Sequence, residues 1–127
     1  MRKRVLLIDD DPVFIRRIRS VLEHSVDLKV VSVADEAIRT CSTWRPDLIL
    51  LDVHIAPGDS FQILDDITRG SLGAPISVLC LSRGAGSTTR LQSFGDAVFG
   101  ILKREIDQDT LLAAVSKALD APEMAAA

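Results

Sequence analysis

Four places in this sequence carry side chains that could do chemistry together. Asp9, Asp10 and Asp11 follow the apolar run at 5–8, Asp52 follows the run at 48–51, Ser82 follows the run at 75–81, and Lys103 follows the run at 97–102. Each is ordinary by itself: an acidic residue after a strand usually caps a helix or a turn, a serine there is a loop residue, and a lysine is solvated. Brought to one place, three carboxylates repel each other unless a cation joins them, and a small all-oxygen site with water is what Mg²⁺ prefers. With Mg²⁺ bound, one carboxylate could attack a phosphoryl group while the Lys103 ammonium and the Ser82 hydroxyl hold its oxygens, giving an aspartyl phosphate.

Whether these residues meet depends on the elements that carry them. The run at 5–8 leads into Asp11, a plausible N-cap, and Pro12, which opens a helical pattern with Phe14, Ile18, Val21 and Leu22 on one face. The Val-rich segment at 28–33 predicts a second strand. Asp35 is placed to cap a helix with Ala37, Ile38 and Cys41 in a stripe and Trp44 near its end, stopped by Pro46. The stretch at 47–52 predicts a strand buried on both faces, followed by a Pro57-Gly58 turn and a helix capped by Asp59 or Ser60, with Phe61, Leu64 and Ile67 inward and Gly70 at its end. After the strand at 75–81, the glycines, serine and threonines of 84–94 leave room for only a short, mobile helix with Leu91 and Phe94. The strand at 97–102 precedes a helix that begins at Asp107 or Asp109 and carries Leu111, Leu112, Val115, Ala118 and Leu119 on one side.

Strand and helix patterns thus alternate five times, with crossovers long enough for parallel pairing. The predicted class is α/β, a doubly wound five-stranded parallel sheet with helices on both faces. With strand order 2-1-3-4-5, a flavodoxin-like three-layer sandwich, strands one and three lie side by side, and the crevice at their carboxyl ends is where such sheets bind ligands. Asp9, Asp10, Asp52, Ser82 and Lys103 would all fall there.

The 127 residues fit one domain, with a core over about 4–119 and an unpatterned tail at 121–127. A net charge of −3, from 15 basic and 18 acidic residues, argues against nucleic acid as a direct partner, and Arg2, Lys3, Arg4, Arg16, Arg17 and Arg19 read as solvated surface. Cys41 and Cys80 have no metal-ligand spacing and fall in apolar positions, as buried free thiols of a reducing cytoplasm do. No apolar run approaches the roughly 18 residues of a membrane span. The expected location is cytoplasmic.

The runs Val-Leu-Leu-Ile-Asp-Asp-Asp-Pro, Pro-Asp-Leu-Ile-Leu-Leu-Asp-Val-His and Ile-Leu-Lys, with the serine after the fourth strand, resemble the response-regulator receiver domain of two-component signalling. The resemblance spans Arg4 to Leu119. It implies that Asp52 is the phospho-acceptor and that Asp10, Asp52 and the backbone carbonyl of His54 bind Mg²⁺ directly, with Asp9 acting through water. It also implies that Ser82 is the switch hydroxyl and Lys103 the phosphate partner. The implied partner is a sensor histidine kinase or phosphotransfer protein, and the implied role is that of a signalling phospho-acceptor in a phosphorelay, not a conventional enzyme, though one able to catalyse its own phosphorylation and dephosphorylation. The family's homodimer surface is the face of the fourth helix, fifth strand and fifth helix.

Several positions depart from the family pattern. Ala56, with Pro57 one step later, stands where the family has Pro. Arg83 follows the switch hydroxyl in place of a small residue, where a long cation either crowds the phosphoryl group or adds a charge-assisted contact. Arg104 replaces the Pro after Lys103, which disfavours a cis bond. Gly100 replaces the aromatic residue that couples to the hydroxyl, and strand alternation would turn Phe99 to the opposite face. The segment 84–94 is then the expected route of readout. His54 is a possible modulator beside the phosphate, with a solvated turn as its simpler role.

Other readings use the same residues. Asp9-x-Asp11-x-Val13 matches the nucleophile loop of haloacid-dehalogenase-like phosphatases, but the chain has no room for a cap domain. Asp52-x-His54 with Gly58 approximates a cobalamin-binding loop, with the glycine one residue late. A degenerate receiver that signals by binding alone would explain Ala56, Arg83 and Gly100.

Overall fold

The computed structural model describes residues 2–53, 59–68, 76–82 and 98–120, with the side chains of 59–61 and 68 excluded. His54, Ala56, Pro57, Arg83, the segment 84–94 and the tail at 121–127 lie outside the described residues. Five strands form where the apolar runs fall: β1 (Arg4–Ile8), β2 (Asp27–Val31), β3 (Leu48–Asp52), β4 (Ser77–Ser82) and β5 (Val98–Lys103). The helices are α1 (Pro12–Leu22), α2 (Ala34–Trp44), α3 (Asp59–Thr68) and α4 (Gln108–Asp120). All strand pairs are parallel, in the order β2-β1-β3-β4-β5. The expected α/β topology is the one observed.

Continuous apolar sequence in β1 and β3 follows from burial on both sides of the sheet. Leu6, Ile8, Ile49, Leu51, Val78 and Cys80 pack on one face with Ala37 and Cys41 of α2 and Ile63, Leu64 and Ile67 of α3. Val5, Leu7, Leu48, Leu50, Leu79 and Leu81 pack on the other with Phe14, Ile18 and Leu22 of α1 and Leu111, Val115 and Ala118 of α4. Cys41 and Cys80 are buried free thiols, as expected, and burial pushes their pKa values up to about 11 and about 12. Among the described residues, no helix is long and apolar enough to cross a membrane.

Helix starts follow local hydrogen bonding. Asp11 caps α1, its Oδ1 accepting the Val13 N–H at 3.0 Å, with Pro12 at the first helical position. Asp107, not Asp109, caps α4, its Oδ1 accepting the Thr110 N–H at 2.7 Å. Two expectations for capping are corrected. Helix α2 begins at Ala34, so Val33 holds the cap position without a side-chain bond, and Asp35 lies in the first turn, where its charge favours the helix dipole. Helix α3 begins at Asp59, so Asp59 and Ser60 are helical residues and not caps.

Strand β2 stops at Val31, two residues short of the expected end. The Asp9 N–H bonds the Val31 carbonyl at 3.1 Å and the Ser32 hydroxyl bonds the Asp9 carbonyl at 3.1 Å, so the chain turns off the sheet there. At the other end of the sheet, α2 closes on Arg45 in the left-handed region, with φ 54°. Trp44 lies under two cations, 5.6 Å from the Arg4 guanidinium and 5.5 Å from the Lys29 ammonium. The Arg4 side chain also donates to the Trp44 carbonyl.

The β4–β5 register slips once. Val78 pairs with Val98 and Leu79 with Gly100, so Phe99 is an extra residue in β5, a bulge that leaves it 36% exposed. The bulge breaks the alternation on which opposite facing of Phe99 and Gly100 was expected. A Cβ at Gly100 would come within 3.2 Å of Leu79 Cδ2, so the residue here packs close against its neighbouring strand.

Candidate functional site

A parallel sheet delivers every strand's carboxyl end to the same edge. Asp9 follows β1, Asp52 ends β3, Ser82 ends β4 and Lys103 ends β5, where the last two are register partners. Side-chain oxygens of Asp9, Asp10 and Asp52 all lie within 4.8 Å of one another. Asp9 and Asp52 are fully buried, Ser82 is nearly so, and Asp10 and Lys103 are exposed. The residues expected at the site therefore share one sheet edge, and three of them form a carboxylate cluster. His54 and Arg83 lie outside the described residues.

Two like charges about 4 Å apart repel by about 4 kcal/mol at an effective dielectric near 20, so this cluster requires positive charge. Arg104, the residue after β5, supplies it. Its Nη1 lies 2.7 Å from Asp9 Oδ2 and 3.5 Å from Asp52 Oδ2, and its Nη2 lies 3.4 Å from both Asp9 Oδ1 and Asp11 Oδ2. One guanidinium thus engages both Asp9 oxygens in the planar, two-pronged manner open to arginine but not to lysine, and reaches two further carboxylates. Asp9 Oδ1 also accepts the Asp11 N–H at 2.9 Å.

Arg104 is held on every side. Its guanidinium lies over the Phe14 ring, 3.9 Å from the centroid, and the residue is only 9% exposed. Its N–H donates to the Ser82 carbonyl at 3.2 Å. Its carbonyl accepts from Arg17 Nη1 at 3.1 Å, and Arg17 Nη2 donates to the Ile106 carbonyl. Burial alone would lower the Arg104 pKa; its hydrogen bond to Asp9 and the charges of Asp9, Asp52 and Asp11 outweigh that and raise it. Burial likewise pushes the Asp11 carboxyl up, but the Val13 and Phe14 N–H groups and Arg104 hold it below the ordinary carboxylate value.

In the sequence Arg104 stands out only as the absence of a proline, and Arg17 only as part of a solvated surface. A second cation directly after Lys103, facing three consecutive aspartates across the sheet edge, was the available signal for Arg104. Nothing in sequence spacing pairs Arg17 with the turn after β5. Arg2 and Arg4 likewise leave the expected solvated patch, donating to the carbonyls of Glu23 and Val26 and of Trp44.

The donor set suits a hard divalent ion, since three carboxylates within a few ångströms offer oxygen ligands only. Such an arrangement can support attack by a charge-neutralised carboxylate, and the buried Asp52 is the one flanked by Asp9 and the β4 terminus.

A family model described as response regulator receiver domain matches residues 5–116. The nitrate/nitrite response regulator protein NarL of Escherichia coli is 29% identical over 118 residues, covering 90% of this chain and 53% of that protein. The alkaline phosphatase synthesis transcriptional regulatory protein PhoP of Bacillus subtilis is 31% identical over 80 residues, covering 62% of this chain and 33% of that protein. Among solved structures, a CheY-like response regulator receiver domain protein from Methanospirillum hungatei matches with a TM-score of 0.81 at 17% identity, over 94% of this chain and 95% of that one. The chain spans between 33% and 53% of the length of these two curated relatives.

Proposed function

The chain belongs to the response-regulator receiver family of two-component signalling, and on that premise we propose that Asp52 accepts a phosphoryl group from a sensor histidine kinase or phosphotransfer protein. Membership argues against the phosphatase and cobalamin readings. The observation that carries the proposal is the buried Asp52 carboxylate at the carboxyl end of the central strand, within 4.8 Å of the Asp9 and Asp10 oxygens.

In the transfer, an Asp52 oxygen attacks phosphorus, the phosphorus–nitrogen bond of the donor phosphohistidine breaks, and the imidazole takes the electron pair and a proton. Asp10 and Asp52, with the His54 carbonyl, would hold Mg²⁺ directly and Asp9 through water, and the ion when bound would offset the charge of the phosphoryl oxygens. Ser82 and Lys103 are the hydroxyl and ammonium assigned to the remaining oxygens, and their shared register at the ends of β4 and β5 supports that assignment. Arg83 and His54 stay as candidate modulators. A homodimer would use the face that includes β5 and α4. The whole of 1–127 acts as one receiver unit in the cytoplasm.

Incubation of folded protein with a small phosphodonor and Mg²⁺, followed by intact mass, tests the proposal. A gain of one phosphoryl group that is lost in Asp52→Asn is the expected result. Absence of that gain in protein shown to bind the metal would overturn it.

One observation favours a second reading, a receiver that signals by binding alone. The Arg104 guanidinium already neutralises Asp9 and Asp52, as a metal ion otherwise would.

A further inference from the structure

We propose that Arg104 is the built-in counter-ion of the carboxylate cluster and competes with the divalent cation for Asp9 and Asp52, so that metal binds only as the guanidinium withdraws. The inference rests on the metal-binding part of the reading above and is independent of phosphorylation.

Three features carry it. The guanidinium touches two of the three clustered carboxylates, at 2.7 Å from Asp9 and 3.5 Å from Asp52, so a divalent ion held by that cluster would sit against a fixed positive charge. Arginine cannot relieve that repulsion by losing a proton, which leaves movement as its only response. The backbone is pinned by Ser82 and Arg17, so the movement is a swing of the side chain from a fixed Cα, not a shift of the turn.

The structure also supplies somewhere to go. Asp11 Oδ2, 3.4 Å from Nη2, belongs to a half-buried residue nearer solvent than Asp9 and is not one of the three clustered carboxylates. Withdrawal toward it exchanges a fully buried partner for a half-buried one while keeping the cation paired. Metal affinity is then set by a contest between two cations, one tethered and one free. A proline at 104, the family's usual residue, would carry no such competitor.

Titration of the full chain with Mg²⁺ by calorimetry, at low ionic strength, gives the first test. Arg104→Gln is expected to bind Mg²⁺ at least tenfold more tightly than the unaltered protein. Equal or weaker binding by a folded Arg104→Gln overturns the proposal, as does failure of both proteins to bind. Should that variant not fold, Phe14→Leu, which removes the ring beneath the guanidinium and leaves the carboxylates intact, is expected to tighten binding about threefold, and no change overturns the proposal. The unaltered protein gives an independent measurement: the Arg104 side-chain ¹⁵N resonances must move as Mg²⁺ saturates, and resonances that stay fixed while the metal binds contradict displacement. Tighter metal binding in Arg104→Gln with no phosphorylation of either protein would support the competition and sink the phospho-acceptor reading.

Discussion

Arg104 and Asp9 form the closest charge pair of the carboxylate edge among the described residues, 2.7 Å between Nη1 and Oδ2, although 95 residues separate them. The pair joins the turn after β5 to the end of β1, across β3 and β4. Removing one partner of a buried pair leaves the other uncompensated. Arg104→Met is therefore expected to destabilise the metal-free protein by about 3 kcal/mol, with Mg²⁺ restoring part of the loss by mass action. Urea titrations with a chelator and with added Mg²⁺ check this; a variant as stable as the parent under chelation would contradict the counter-ion role.

Arg17 acts on the same residue from behind. Its guanidinium serves the Arg104 and Ile106 carbonyls. Arg17→Met keeps the aliphatic stem and loses both bonds, so a loss of about 1–2 kcal/mol is expected. The Ile106 N–H, bonded to the Lys103 carbonyl at 3.2 Å, should exchange with solvent faster in that variant, and unchanged exchange would show that Arg17 does not hold the turn.

Two carboxyls make stability depend on acid. Asp107 is held below the ordinary value by the Thr110 N–H and hydroxyl, and Asp11 by the N–H groups of Val13 and Phe14 and by Arg104, against the upward push of burial. A carboxyl with a lowered folded pKa contributes stability that is present above its unfolded value and is lost as pH falls through the folded one. Stability should thus begin to fall near pH 4 and keep falling below it. Denaturant midpoints at successive pH values measure the slope, which should be shallower in Asp11→Ala and Asp107→Ala.

The thiols give the opposite sign. Cys41 and Cys80 are raised to about 11 and about 12 by burial, so between an unfolded value of about 8.5 and those values the unfolded chain has lost protons that the folded chain retains. Stability should decline as pH rises through that window. At pH 8 a disulfide reagent should label both thiols only after denaturant is added, and rapid labelling of native protein would contradict their burial.

The sequence carried the strands because burial on both faces of a parallel sheet leaves unbroken apolar runs, as at Leu48 to Leu51. It carried Asp9, Asp10 and Asp52 because charges at strand ends are conspicuous. The β2 terminus and the cap of α2 were misplaced, since Ser32 and Val33 look like strand while the bonds that turn the chain come from Asp9. The bulge at Phe99 was hidden, because a register slip leaves no mark on composition. Arg104 and Arg17 were hidden for a related reason: their partners are distant in sequence and, for Arg17, are backbone carbonyls that every residue possesses.

Trp44, the chain's single tryptophan, packs against Arg4 and Lys29 where β1 begins. The carboxylates lie where β1 ends, about 15 Å further along the strand at roughly 3.3 Å per residue. Indole emission is therefore a gauge of whether the sheet is assembled and is optically deaf to what happens at Asp52. A protein that changes occupancy at one rim while its fluorescence holds steady is behaving as this layout requires.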